Sequence, residues 1–164
     1  TLEKASAEAT RPRRSPCALC SARRRKRTPS CALSAPSCTA SAIGASGGLA
    51  CYMDAGRLVY EYNLMIIERT VVRSKDPIAA GRRRIVVETT LTEKRPGAPA
   101  EVVLSVDGVE VARGTVPRTV PAAFTASESF DVGIDLGSPV GREYFDRRPF
   151  AFDGKIRTVT VSVR

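Results

Sequence analysis

The chain has 164 residues, with 26 Lys or Arg, 17 Asp or Glu, a net charge of +9, no His and no Trp. That length suits one domain of ordinary size, or a smaller one with a tail. Without His, every His-based triad, general base or metal cage is excluded. No apolar run reaches the roughly eighteen residues that a membrane-spanning helix needs.

Residues 1–46 differ from the rest. They hold 9 basic and 2 acidic residues, and 37 of the 46 are Ala, Arg, Ser, Thr, Pro or Cys. All 9 aromatic residues of the chain lie from Tyr52 onward. A segment so poor in large apolar side chains buries too little area to offset its ordering entropy, so a disordered tail is expected over 1–46. It shows no signal-peptide pattern, and a start at Thr1 rather than Met fits a fragment. Arg11, Arg13, Arg14 and the run Arg23–Arg27 are weak evidence for a nucleic-acid or membrane partner. No aromatic is interleaved for base stacking, and no hydrophobic face accompanies them. Neither partner is expected. The composition is also what GC-rich DNA yields when read out of frame, so a wrong-frame or otherwise unselected extension is the favoured reading.

The tail cysteines approximate a metal site without completing one. Cys17 and Cys20 form a C-x-x-C, half of a tetrahedral thiolate set. Cys31 and Cys38 would have to supply the other half across six residues, where such sites use two to four, and no His can substitute. Free thiols are expected. Cys51, at the start of the body, reads as a small core residue.

From Gly47 onward the apolar period is close to two, and turn residues recur at short intervals. Strands are expected at Leu49–Met53 and Arg57–Tyr62 around a turn at Asp54-Ala55-Gly56, then at Thr70–Arg73 and Arg84–Leu91. The clearest unit is Val102 to Val111. Asp107-Gly108 there supplies the two positive-φ residues of a type I′ turn, setting Val106 against Val109, Ser105 against Glu110 and Leu104 against Val111. A short strand at Val120–Phe124, confined to an edge or a bent start by Pro117 and Pro121, and the closing strands Phe150–Phe152 and Lys155–Val163 complete the pattern. In the last strand Ile156 is out of phase with Val159, Val161 and Val163, which predicts a bulge. No helical stretch of ten residues stands out. The expected fold is all-β: an antiparallel β-sandwich, jelly-roll-like, over residues 47–164.

Several short motifs, in order, carry a resemblance: Gly47-Gly48-Leu49-Ala50-Cys51-Tyr52; Gly56-Arg57-Leu58-Val59-Tyr60-Glu61-Tyr62-Asn63; Val106-Asp107-Gly108; Thr119-Val120-Pro121; Ser129 through Val140; and Phe150 through Ile156. Together they resemble the C-terminal region of long bacterial arylsulfatases over about residues 47–164. In that family the region follows the catalytic alkaline-phosphatase-like α/β domain as a β-sandwich appendage. The resemblance implies a non-catalytic C-terminal domain of an arylsulfatase-like sulfuric ester hydrolase, packing on that catalytic domain as its partner. Calcium and formylglycine belong to the absent catalytic domain, and no cofactor is expected in this chain. A free-standing β-sandwich module binding carbohydrate or protein is the alternative.

No catalytic residue is assigned. Cys20-Ser21-Ala22-Arg23-Arg24 fits the family's C-x-A-x-R nucleophile pattern in form. Arg25-Lys26-Arg27-Thr28-Pro29 follows it, however, in place of an apolar helix start. Asp131 and Asp135, with Gly133 and Gly137 interspersed, are weak candidates for a hard cation. On an extended strand they lie about 13 Å apart, and local backbone hydrogen bonding is the favoured reading. An interface patch is expected at Tyr60, Tyr62, Leu64, Met65 and Ile66. The apolar run through Ile67 there suits neither an alternating strand nor an exposed loop.

Overall fold

A computed structural model of the chain describes residues 2–10, 40–42, 48–121, 130–135, 140–147, 150–152 and 154–163. The strands among them are β1 (Leu2–Thr10), β2 (Ala40–Ala42), β3 (Gly48–Asp54), β4 (Arg57–Leu64), β5 (Glu68–Arg73), β6 (Arg83–Leu91), β7 (Ala100–Val106), β8 (Val109–Val116), β9 (Phe130–Val132), β10 (Ile134–Asp135), β11 (Phe150–Ala151) and β12 (Lys155–Val163). The helical content described is one 3-10 turn, Phe145–Arg147.

Two five-stranded sheets, ordered β12-β1-β6-β7-β8 and β5-β4-β3-β2-β9, pair antiparallel throughout, and β10-β11 forms a small separate ladder. Met53, Leu58, Tyr60 and Val72 of one sheet share a single core with Ile85, Val87, Val102, Leu104 and Val116 of the other. The fold is therefore the expected all-β antiparallel sandwich. In β7 the burial follows the sequence alternation: Ala100, Val102, Leu104 and Val106 are buried, and the residues between them half-buried.

The two sides of the sandwich differ. On one, β8 lies against β5, and a Cβ at Gly114 would come within 2.4 Å of a Val72 methyl. Glycine there is what lets the sheets meet. On the other side an open groove of about 480 Å³ is lined in part by Val132 of β9, Phe152, and Ile156 and Val159 of β12.

The sheet reaches into the segment expected to be a disordered tail. Leu2–Thr10 pairs on one side with β6 and on the other with β12, and Ala40–Ala42 sits between β3 and β9. The rest of that segment, with Cys17, Cys20, Cys31, Cys38 and the Arg23–Arg27 run, lies outside the described residues.

Three further points of register can be compared. Val106 opposes Val109 and Ser105 opposes Glu110 as expected, but Leu104 opposes Ala112 rather than Val111. Val109 and Val111 are in one phase, while the small inward residues Ala112, Gly114 and Val116 are in the other. A bulge beside Leu104 reconciles them. The bulge expected in β12 is present: a step of two along β1, from Ala7 to Ala9, matches a step of three along β12, from Val159 to Ile156. The strand expected at Val120–Phe124 does not include Val120 or Pro121, which are irregular. The Val120 N–H is taken by the Tyr62 hydroxyl at 2.9 Å, and 122–124 lie outside the described residues.

Candidate functional site

The sequence Leu58-Val59-Tyr60-Glu61-Tyr62-Asn63-Leu64 has apolar bulk on both faces of one strand, which calls for cover on both. The inward face meets the opposing sheet. The outward face is covered by residues 140–147 and 150–151, where Ala50, Tyr52, Val59, Val140, Tyr144 and Phe150 form a second buried cluster. Tyr144 and Phe150 stack at 4.4 Å between ring centroids, and Tyr52 meets Tyr144 edge-on at 4.9 Å. Such geometries add about 0.5–1.5 kcal/mol per pair beyond burial.

Polar groups are threaded through this aromatic layer. Glu61 is fully buried; its Oε2 accepts from the Tyr52 hydroxyl at 3.1 Å and its Oε1 from Arg69 Nε at 2.7 Å. Asp135, also buried, accepts from the Tyr144 hydroxyl at 2.8 Å, and that hydroxyl in turn accepts from the Gly141 N–H at 3.2 Å. A side chain at Gly141 would meet Tyr144 at 2.5 Å and Glu61 at 2.7 Å, so only glycine lets the covering segment lie this close. Ion pairs fasten its edge: Arg147 with Asp54 at 2.9 Å, and Arg73 with Glu143.

Burial, with the carboxylates nearby, pushes the Tyr52 and Tyr144 hydroxyls far above the ordinary phenolic range. Both therefore stay protonated and serve as fixed donors. The cluster is sealed from solvent and satisfied internally, so its chemistry is that of a lock between layers and not that of a reacting centre.

The expected interface residues separate. Tyr60 and Leu64 are buried, at 1% and 5% exposure. Tyr62 is half-buried with its hydroxyl engaged by Val120. Tyr60 belongs to the sandwich core, and Tyr62 packs partly against it. Met65, Ile66 and Ile67, in contrast, are 51%, 59% and 75% exposed. They form the tip joining β4 to β5, closed by Ile67 N–H to Leu64 C=O at 2.9 Å. Met65 and Ile66 both have positive φ, 50° and 67°, as the central pair of a type I′ turn requires. Asn63 Oδ1 accepts the Ile66 N–H at 2.9 Å and braces the turn from below.

Asp131 opposes Ser41, which opposes Ala50, and so it lies on the outer face of its sheet. Asp135 is committed to Tyr144, and Gly133, at φ 87°, breaks the extended path between the two. Among the described residues no group of three or more His, Cys, Asp or Glu side chains could hold a metal ion, and no helix is long and apolar enough to cross a membrane. Cys51 is half-buried against the core, as expected of a small core residue.

Glu61 and Arg69 were not singled out from the sequence, and Asp135 was weighed there only as a cation ligand. A usable signal existed in Glu61: an acid between two tyrosines, in a strand apolar on both faces, must be buried and paired. No protein-family model, curated protein or solved structure matches this chain.

Proposed function

We propose that this chain is a non-catalytic β-sandwich domain that packs on the catalytic domain of an arylsulfatase-like sulfuric ester hydrolase. The observation that carries the reading is where the resembling motifs fall. Tyr52 and Glu61 from the first two motifs, Asp135 and Val140 from the fifth and Phe150 from the last meet in one layer around the sealed cluster. The turn glycines Gly56 and Gly108 of the same motifs sit at positive φ, 79° and 84°. Motifs scattered over about a hundred residues thus serve a single architecture, which supports reading them as one inherited unit.

The sealed cluster also supports a non-catalytic role. Sulfate-ester cleavage needs an activated nucleophile, a cation to polarise the sulfuryl oxygens and an acid for the leaving oxygen. The buried carboxylates here are spent on tyrosine and arginine partners.

The test is co-expression of this chain with a long bacterial arylsulfatase truncated before its own C-terminal region. Co-purification, together with no turnover of an aryl sulfate by this chain alone in calcium, is the expected result. Turnover by the lone chain that disappears in Cys20→Ala would overturn it. So would failure of the two polypeptides to associate, which would favour the free-standing module.

A further inference from the structure

The β4–β5 tip breaks a local rule without any return inside the domain. Positive φ is a strain for any non-glycine residue and a marked one for β-branched isoleucine. Turns whose two central residues are both left-handed normally carry Asn-Gly or Asp-Gly, as Asp107-Gly108 does here. Met65 and Ile66 bear the strain although each is more than half exposed, with Ile67 beyond them more exposed still. Stability alone would replace them. Residues that violate local preference with no packing gain mark a place where something other than folding sets the choice.

We propose that Met65, Ile66 and Ile67 form an anchor that seats in an apolar socket on a folded protein partner. The proposal rests on the reading above, in which that partner is the catalytic domain. The shape fits a socket: a narrow turn projects three contiguous aliphatic side chains from a stiff antiparallel pair. The charges fit it as well. Flanking Glu68 is paired with Arg118 at 3.2 Å, and Arg69 turns back to buried Glu61, so the surroundings of the tip are close to neutral. A lipid surface would instead favour unpaired basic flanks and an interfacial Trp or Tyr. The tip has neither, since the nearest tyrosine, Tyr62, has its hydroxyl bound to Val120.

The variant Met65→Asn/Ile66→Gly supplies the residues the turn prefers and removes two of the three apolar side chains. Alone, the variant chain should melt higher than wild type, by about 4 °C or more. In co-expression with the truncated arylsulfatase its association should weaken at least tenfold. A lower melting temperature would make the tip a structural element and overturn the proposal. Equal association of wild type and variant would overturn the anchor while leaving the accessory-domain reading intact. Association by neither would remove that reading and the anchor with it. Binding of wild type, but not the variant, to phosphatidylcholine/phosphatidylglycerol vesicles would assign the tip to a membrane and overturn the protein socket.

Discussion

The Asp107-Gly108 and Met65-Ile66 turns carry nearly the same pair of backbone angles, φ 52° and 84° in the first and 50° and 67° in the second. The first is built by the local rule. Asp tolerates the left-handed region and Gly adopts it at no steric cost, and the Asp107 carboxylate accepts from the Arg84 N–H and from Arg83, each at 2.9 Å. The second is imposed from below. Its strands are locked by the buried Glu61–Arg69 pair and by the layer over β4, and its own residues oppose the conformation. Where a turn's residues agree with its backbone, the turn explains itself; where they disagree, the cause lies in what the residues present to the outside.

Breaking the lock should have the largest effect. Glu61→Ala leaves Arg69 and the Tyr52 hydroxyl without their partner beneath the covering segment, and should cost about 4 kcal/mol in urea unfolding. The comparison predicts more than a loss. If the lock holds the strained tip, the same substitution should cost measurably less in the Met65→Asn/Ile66→Gly background, because a relaxed turn needs less holding. Additive free energies in that double-mutant cycle would separate the tip from the lock.

Exchanging the turns tests the symmetry of the argument. Asp107→Met/Gly108→Ile puts the strained pair where no lock exists, forfeits both carboxylate hydrogen bonds, and should cost about 3 kcal/mol. The reverse exchange at residues 65 and 66 should stabilise. Opposite signs for one exchange made in two directions are the expected result; equal signs would mean that residue identity at these turns matters less than the φ values suggest.

The brace below the tip is a smaller effect. Asn63→Ala removes the acceptor for the Ile66 N–H, and should cost about 1 kcal/mol in wild type. The cost should be less when Gly stands at 66.

The same contrast explains what the sequence revealed. The Asp107-Gly108 hairpin, the sandwich class and the β12 bulge were legible because each rests on local pattern: a turn dipeptide, a period of two, one valine series out of phase. The Met65-Ile66 turn was not legible as a turn, since its residues argue against one; only the oddity of its apolar run was visible. The burial of Tyr60 and Leu64, expected at an interface, was not legible for a related reason. A strand covered on both faces carries apolar residues throughout, and alternation no longer tells inside from outside. The sealed cluster joins residues from Ala50 to Phe150, a constellation that only topology assembles.

Acid separates the two turns most finely. The Asp107 carboxyl is held below its ordinary value of 3.8, first by the Arg84 N–H and then by Arg83. The depressed value sets the sign. In the unfolded chain this carboxyl takes up its proton near the ordinary value, and in the folded chain only at lower pH. Between the two, the unfolded state binds more protons, so stability falls as pH falls. The contribution is complete above the ordinary carboxylate range and fades as pH drops through the folded value. The group is exposed and screened, so the effect is small and local. Amide exchange at Gly108 and Val109 should therefore accelerate on acidification from about pH 5 to pH 2, once corrected for the intrinsic rate. Asp107→Asn should flatten that response. Met65 and Ile66 carry nothing to titrate, so exchange at Ile66 and Ile67 should follow the global unfolding curve alone. An equal acid response at both tips would show that the Asp107 contacts add nothing to the turn beyond its two φ angles.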